Sequence, residues 1–505
     1  MTTPTISLEQ HLNEVSQLKS EISYLKEQLE WFRRQVFGQR SEKIIPNSNE
    51  EQLYIPGTEL CKSPVEQKTE TIPAHVRKKP NRDGKDKITL PDNLPIERQV
   101  IDLPENEKVC PQTGENLVKI GEDITQKLAH KPGSYYIKQI IRIKYAAPKN
   151  PDAGVMTAPL PDTLLPRCQA DESLLADILV KKYADHLPLY RQSEMLAREG
   201  ISISRQVLCQ WTTRAALALK PLHDLMTQII LKSGNIFIDE TPINMLAPGK
   251  GKVQQAYMWV LAGGQAKDPP YRIYEFYENR KHSNVVDLLK GYDGVLHSDK
   301  YGAYEALANA RQFTWCPCWS HIRRKFFEAE TGDPQFRDWV LRKIRYLFMF
   351  ENVAWSRSPE ERLQIRKEKE APIIDELITA VKGKLIDGKI LPKSKLREAL
   401  GYFCGLIPHL KNYIEHPFAR LDNNVAERAV RPLAIGRKNW LFVGNEDGGD
   451  AAAVIYSLIQ TCRALQINPR KYLEDVTRRL MGHSINQLHE LLPDNWDASR
   501  ALLKS

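Results

Sequence analysis

NIFIDETPINML, residues 235–246, decides the fold, because its short apolar run stops abruptly at an acidic pair. Phe237 and its β-branched neighbours give the pattern of a buried strand. Asp239 and Glu240 follow directly. We therefore predict a buried strand that presents one carboxylate, that of Asp239, where its apolar run ends.

A second stretch repeats this arrangement some sixty residues later. In GVLHSDKYGAYEAL, residues 294–307, Val295 and Leu296 lead into Asp299, and the small and aromatic residues from Gly302 onwards begin a helical pattern. The sequence thus predicts a second strand that carries a second carboxylate to its end.

A third acid lies far downstream in LDNNVAERAVRPLAIGRKNWLF, residues 421–442. Glu427 sits on a helical pattern with Asn424 one turn before it and Arg431 one turn after it. It is the candidate that would complete a set of three carboxylates.

Three carboxylates from rigid elements are what hard divalent cations need, since Mg²⁺ takes oxygen ligands and keeps several waters. Two such ions, about 3.5–4 Å apart, activate a nucleophile and stabilise the leaving oxygen of a phosphodiester. The alternative is that each acid merely ends a strand or caps a helix. Asp293, in a Gly-flanked turn, and Glu240, which points away from Asp239 in a continuous strand, are the rival acids.

These blocks resemble the bacterial insertion-sequence transposases of the IS66 type, a DDE group with an RNase H-like catalytic domain. The resemblance covers nearly the whole chain. It implies that Asp239, Asp299 and Glu427 are the catalytic and metal-binding triad, with a helical insertion before the last acid. The matching blocks are DET at 239–241, HSDKYGAY at 297–304, CWSHIRRKF at 318–326 and DNNVAERAVRPLAIGRKNWLF at 422–442.

Composition sets the outer bounds. At 505 residues the chain is long enough for about three domains of roughly 150 residues. Lys and Arg total 72 against 63 Asp and Glu, giving a net charge of +9 that is compatible with a polyanionic partner. Eight scattered Cys, a start without a signal-peptide pattern and no long apolar run favour a cytoplasmic bacterial protein, nucleoid-associated when bound to DNA, with no membrane contact.

Residues 8–40 are predicted to form a coiled-coil, leucine-zipper-like helix, because apolar residues recur there at alternating spacings of three and four. A homodimer or higher oligomer is the natural consequence; a helix packed on its own chain is the alternative. The resemblance includes such a segment. Residues 41–88 follow as a polar and basic linker.

Residues 89–155 have the β-branched and aromatic enrichment of strands, notably at 134–147. The resemblance implies a zinc-finger-like module with paired Cys-x-x-Cys motifs here. Cys110 has no such partner, and one thiolate cannot complete a tetrahedral zinc site. We therefore predict a degenerate, metal-free module.

Residues 165–231 are predicted to hold three helices in a helix-turn-helix arrangement, with a turn at Gly200 and an N-cap at Ser204. In that motif the early residues of the second helix reach base edges, which makes Ser204, Arg205 and Gln206 candidate DNA contacts. An ordinary three-helix bundle that joins two domains is the alternative.

The RNase H-like catalytic domain is expected in two parts, 232–330 and 416–465. In the first part, Cys318 and His321 form a Cys-x-x-His pair without a second pair nearby, so no zinc is expected. Cys318 is interpreted as buried packing, and His321 as a residue near the carboxylates that either contacts the scissile phosphate or orients a ligand. Arg323, Arg324 and Lys325 form a cluster suited to a phosphate backbone, or else a solvated helix face.

The second part of the catalytic domain adds basic residues on and after the Glu427 helix. These candidate DNA contacts are Arg428, Arg431, Arg437, Lys438 and Trp440. Pro432 is expected to kink or restart the helix, and Gly444, Gly448 and Gly449 to form a turn. Residues 331–415 fit the helical insertion, and 466–505 fit a C-terminal helical cap.

Together these patterns predict an α/β DDE transposase that cuts and rejoins the ends of its own element with two Mg²⁺ or Mn²⁺ ions. Its partners would be double-stranded DNA, as terminal inverted repeats and target, with accessory proteins as further candidates. Two alternatives stay open: an RNase H-like nuclease without strand transfer, and a catalytically inactive DNA-binding protein.

Overall fold

A computed structural model describes residues 168–497, apart from 248–251, 266, 311 and 388–389, and the short segments 133, 135–137, 144–146, 155–157 and 162–166. The predicted helix at 8–40, the linker at 41–88 and most of the module at 89–155 lie outside the described residues. Within that module, β1 (Lys144–Ala146) and β2 (Val155–Thr157) pair in antiparallel fashion.

The centre of the described region is a mixed five-stranded sheet with the order β5-β4-β3-β6-β7. The first three strands form an antiparallel meander. β6 then pairs in parallel with β3, and β7 pairs in parallel with β6, each after a connecting helix. This mixed α/β sheet is consistent with the predicted RNase H-like core. Its strands are β3 (Asn235–Ala247), β4 (Lys252–Ala262), β5 (Arg272–Tyr277), β6 (Val295–Ser298) and β7 (Thr314–Pro317).

Three helices precede the sheet, as the sequence predicts. They are α1 (Glu172–Tyr183), α2 (Leu189–Arg198) and α3 (Arg205–Ile230). Gly200 has the positive φ of 77° that a turn between helices requires, and the Ser204 hydroxyl accepts a hydrogen bond from the backbone N–H of Val207 at 3.3 Å. The predicted N-cap is therefore confirmed.

Short helices connect the parallel strands and a longer set forms the insertion. The connecting helices are α4 (His282–Leu288) and α5 (Gly302–Asn309), and α6 (Trp319–Phe327) follows the last strand, β7. The insertion contains α7 (Pro334–Ala354), α8 (Pro359–Ile365), a π-helical turn (Arg366–Glu370), α9 (Ala371–Ile386), α10 (Lys395–Leu406) and 3₁₀ turns at Ile407–His409 and Asn412–Glu415. The predicted helical character of residues 331–415 is confirmed.

The last helices return to the sheet. They are α11 (Asn424–Trp440), α12 (Glu446–Ala464) and α13 (Pro469–Arg479), followed by 3₁₀ turns at Leu480–Gly482 and Ile485–Leu491. The helical assignment of α11 continues through Pro432, so the expected restart there is wrong. Of the described helices, none combines the length and apolar character that crossing a bilayer requires.

The core lies where α12 packs against β5 and α3, and every residue of α12 from Ala451 to Cys462 is buried. Ser457 on α12 accepts a hydrogen bond from the backbone N–H of Tyr274 at 2.8 Å. The prediction of a turn at Gly448 and Gly449 is wrong, because both residues lie in the first turns of α12. A Cβ at Gly449 would meet the ring of Phe276 at 2.6 Å, so this glycine permits a close approach of helix to sheet.

Candidate active site

Asp239 and Asp299 are aligned by two neighbouring parallel strands. The register pairs Phe237 of β3 with His297 of β6, and their rings stack with centroids 4.4 Å apart. Side chains two residues apart on a strand share a face, so Asp239 and Asp299 each continue the row from this stacked pair. Asp239 thus lies inside β3, which continues to Ala247, whereas Asp299 directly follows the end of β6.

Glu427 lies in the first turn of α11, and hydrogen bonds connect the residues just before that helix to β3 and to the start of α6. The side-chain amide of Asn423 donates to the carbonyl oxygen of Ile238 at 2.8 Å. The backbone N–H of Asn423 donates to Cys318 Sγ at 3.2 Å, and the N–H of Trp319 donates to the carbonyl oxygen of Leu421 at 3.0 Å. These bonds fix the start of α11 beside β3 and α6.

The charges of these acids act on one another. Burial, which is the largest cause, and the charges of Glu240, Asp299 and Glu427 together raise the pKa of Asp239 to about 8. Burial likewise raises the pKa of Asp299, with a further rise from Glu427, although Arg280 opposes it. When these carboxyl groups are ionised they repel one another, and a positively charged partner would stabilise their ionised forms.

Two oxygen atoms in this cluster are buried without a hydrogen-bond donor, namely Asp299 Oδ1 and Glu427 Oε1. Buried polar atoms are normally paired, and an unpaired one is costly. Oxygen ligands from three rigid elements suit a hard divalent cation. The residues present therefore fit the Mg²⁺ or Mn²⁺ site that the sequence predicts.

Glu240, a rival acid, faces a different set of partners. Its side chain is 4% exposed, accepts a hydrogen bond from the Tyr304 hydroxyl at 2.9 Å, and pairs with the guanidinium of Arg280. Arg280 also lies over the ring of Tyr301, 4.1 Å from its centroid. This network connects β3 to the segment that follows Asp299, so Glu240 is a positioning residue. Sequence reasoning missed Arg280, because nothing local connects it to Glu240.

Asp293, the other rival acid, is exposed in the turn between α4 and β6. It lies six residues before Asp299, at the opposite end of the β6 strand. It therefore does not join the cluster around Asp239.

His321 lies one turn into α6 and faces Glu427. Its Nδ1 atom is 3.9 Å from Glu427 Oε1, and the two side chains are 24% and 32% exposed. Burial lowers the pKa of His321, and Arg324 and Lys325 lower it further, whereas Glu427 raises it. The imidazole therefore favours its neutral form beside the acids.

The basic cluster of α6 divides between solvent and the insertion. Arg323 and Arg324 are exposed, with Arg323 stacked near the ring of Phe327. Lys325 instead forms an ion pair with Glu398 of α10 at 2.9 Å. The two arginines are thus free to face a ligand, whereas Lys325 is engaged by the insertion.

The basic residues of α11 also differ from one another. Arg428, Arg431 and Lys438 are exposed, and Trp440 is half-buried. Arg437 donates to Thr241 Oγ1 at 2.7 Å and to the carbonyl oxygen of Pro242, so it fastens α11 to β3. Ser204, Arg205 and Gln206 are exposed at the start of α3.

The loop that leads into α11 is held by a fully buried arginine of the insertion. Arg366 forms a two-pronged ion pair with Glu351, at 2.5 and 3.0 Å. Its remaining N–H groups donate to the carbonyl oxygens of Tyr413, His416 and Ala419 at 2.8–2.9 Å. The insertion therefore positions the segment that delivers Glu427.

Comparisons with known proteins agree with this architecture. Residues 167–451 match the family described as "Transposase IS66 family", residues 457–493 match "IS66 C-terminal element", and residues 24–98 match "Transposase C of IS166 homeodomain".

Similar proteins occur in Sinorhizobium fredii (strain NBRC 101917 / NGR234). The uncharacterized protein y4qI is 32% identical over 479 residues, covering 92% of this chain and 87% of the relative. The uncharacterized protein y4hP is 31% identical over 500 residues, covering 93% of this chain and 88% of the relative. Because this family matches more than half of the chain, the chain belongs to the IS66 family of DDE transposases.

Proposed function

We propose that this transposase cleaves the ends of its own insertion sequence and joins them to target DNA, with Asp239, Asp299 and Glu427 as the catalytic acids. The proposal is supported by the effect that the charges of Asp299 and Glu427 have on the pKa of Asp239, and by the buried oxygens of Asp299 and Glu427 that lack a hydrogen-bond partner. Family membership supports the same class of reaction.

The reaction consists of two phosphoryl transfers. In the first, a water oxygen bonds to phosphorus at the element end and the bond to the 3′ oxygen breaks, which frees a 3′ hydroxyl. In the second, that hydroxyl oxygen bonds to a phosphorus of target DNA and displaces a target 3′ oxygen. When bound by the three carboxylates, a pair of Mg²⁺ or Mn²⁺ ions supplies nucleophile activation and stabilises the leaving oxygen.

The remaining residues hold the DNA strand in place. His321 lies beside Glu427 at 3.9 Å and would contact the scissile phosphate. The exposed guanidinium groups of Arg323, Arg324, Arg428 and Arg431 would pair with backbone phosphates on either side. The N-terminal turn of α3, with Ser204, Arg205 and Gln206, would contact the terminal repeats, and the helix predicted for residues 8–40 would mediate dimerisation.

The test is an electrophoretic assay of end cleavage and joining, using labelled candidate terminal repeats with Mg²⁺ and with chelator. We expect cleaved and joined products that disappear with chelator and in D239A, D299A and E427A. Cleavage without joining would favour a nuclease. Binding to the repeats with no cleavage under any divalent ion would favour a DNA-binding protein without catalysis.

A further inference from the structure

Three chemically different metal ligands meet beside the proposed catalytic acids. Cys318 Sγ, a ring nitrogen of His321 and a carboxylate oxygen of Glu427 all lie within 4.8 Å of one another. Cys318 is the N-cap residue of α6 and His321 lies in its first turn, so one helical turn presents both. Glu427 comes from α11, more than one hundred residues later in the chain.

Two of these three ligand atoms have no other partner. The third, the sulfur of Cys318, belongs to a residue that is 2% exposed, and it accepts a hydrogen bond from the backbone N–H of Asn423 at 3.2 Å. His321 Nδ1 and Glu427 Oε1 are buried atoms without a hydrogen-bond partner. The unpaired nitrogen of His321 and the unpaired oxygen of Glu427 lie 3.9 Å apart. A bound ion would give both atoms the partner that they lack.

The donor set selects a different metal from the one that the catalytic acids select. Sulfur, imidazole nitrogen and carboxylate oxygen form the ligand chemistry of Zn²⁺, which binds three protein ligands and keeps a fourth position for water. Mg²⁺ takes oxygen ligands and disfavours thiolate. The sequence around Cys318 and His321 does not indicate a zinc site, because the third ligand, Glu427, is brought next to them only by the fold.

We propose that Cys318, His321 and Glu427 form an inhibitory site for Zn²⁺, in which a thiophilic ion withdraws Glu427 from the catalytic set. On binding, the Cys318 thiol loses its proton to solvent and the thiolate, imidazole and carboxylate coordinate the ion. No redox step is involved. A chain that has bound Zn²⁺ in this way lacks its third catalytic carboxylate, so the ion turns the active site off.

The inhibitory effect of the ion rests on the proposed function, but metal binding at this site can be detected without any DNA reaction. Co²⁺ replaces Zn²⁺ in such sites, and a Co²⁺–thiolate bond gives a charge-transfer absorption in the near ultraviolet. We expect the full-length protein to develop this absorption on titration with Co²⁺, and Zn²⁺ to abolish it by displacement.

The matched variants are Cys318→Ser and Cys209→Ser. Serine at 318 keeps an acceptor for the Asn423 N–H, and Cys209 is an exposed cysteine on α3, far along the chain from the site. We expect C209S to retain the absorption and C318S to lose it. Full absorption in C318S, or none in the unmodified protein, would overturn the proposal whatever the enzyme does with DNA.

Two further variants keep the test decisive where circular dichroism shows that C318S fails to fold. His321→Ala and Glu427→Gln each remove one ligand, and we expect each to weaken Co²⁺ binding at least about tenfold, since even an outer partner of a metal ligand is worth that much. Unchanged Co²⁺ affinity in either variant would count against the site.

The inhibitory consequence is measured separately. At fixed Mg²⁺, we expect Zn²⁺ to suppress DNA cleavage by the unmodified protein, and the concentration for half inhibition to rise at least about tenfold in C318S relative to C209S. Equal inhibition of both variants would overturn the inhibitory role. Absence of cleavage altogether would refute the proposed function and leave the spectroscopic result standing.

Discussion

The side-chain amide of Asn423 donates a hydrogen bond to the carbonyl oxygen of Ile238, 2.8 Å away, and both groups are buried. Ile238 directly precedes Asp239 on β3, and Asn423 is the N-cap residue of α11, which carries Glu427 in its first turn. One bond thus ties the strand of the first acid to the helix of the third. We expect the spacing of the proposed catalytic acids to depend on it.

Asn423→Ala should therefore weaken both stability and activity. Removing the amide leaves the Ile238 carbonyl buried without this donor, which costs about 1–3 kcal/mol of unfolding free energy. A displacement of Glu427 by about 1 Å would reduce the cleavage rate roughly 10²-fold. Urea unfolding and single-turnover cleavage measure the two effects.

Asn424→Ala is the matched control for this substitution. Among the described residues, the Asn424 side chain bonds to Asp422 alone, at 2.7 Å, within the same turn. We expect it to lose less than about 1 kcal/mol and to keep most of its cleavage rate. If N423A and N424A behave alike, the bond to Ile238 does not position the site.

Stability of the metal-free protein should fall as pH rises through the neutral range. Asp239 has a folded-state pKa of about 8 against an ordinary value of 3.8, so between these values the folded chain holds a proton that the unfolded chain has lost. Unfolding free energy then decreases with pH, by up to about 2 kcal/mol from pH 6 to pH 8. Urea midpoints measured with chelator at the two pH values test this.

Asp239→Asn removes the titrating group and should flatten that slope. It should not abolish the slope, since burial also raises the pKa of Glu370 to about 8. Added Mg²⁺ should stabilise the unmodified protein more at pH 8 than at pH 6, because the ion replaces the proton. A slope that is identical in the unmodified protein and D239N would show that Asp239 does not carry a raised pKa.

The sequence predicted the parts of this site but not their connections. The apolar runs before Asp239 and Asp299 predicted strands correctly, since a buried strand has a local signature. Gly448 and Gly449 were misassigned to a turn, because the reason for a glycine there is the ring of Phe276, contributed by another element. Partners such as Arg280 for Glu240 arise only when the sheet and its crossovers form.

Arg366→Met should be strongly destabilising. Arg366 is fully buried, and its loss leaves Glu351 as an unpaired buried charge and the carbonyl oxygens of the loop before α11 without their donor. Breaking a buried pair in this way typically costs about 3–5 kcal/mol. Chemical denaturation is the measurement.

Lys367→Met provides the neighbouring comparison for R366M. Lys367 is 55% exposed and pairs with Glu415 at 3.2 Å, so its loss should cost no more than about 1 kcal/mol. Comparable losses of unfolding free energy in R366M and K367M would mean that the buried Arg366 does not stabilise the loop before α11.

Arg428→Ala and Arg431→Ala should weaken DNA binding in a way that depends on salt. Each removes one proposed phosphate contact, so the slope of log affinity against log salt should become shallower by about 1 per substitution. Arg470→Ala on α13, which removes an exposed charge next to Asp177, should leave the slope unchanged. Filter binding to a terminal-repeat duplex at several salt concentrations measures this slope. An unchanged slope in R428A and R431A would show that these residues do not contact the DNA.

The central claim is that Asp239, Asp299 and Glu427 share divalent cations, and direct Mn²⁺ binding to the purified protein tests it without DNA. Titration followed by the loss of the free-ion paramagnetic resonance signal should show tight binding in the unmodified protein and in E240Q. It should show affinity weakened at least about tenfold in D239N, D299N and E427Q alike. Wild-type Mn²⁺ affinity in any one of those three variants would contradict the claim.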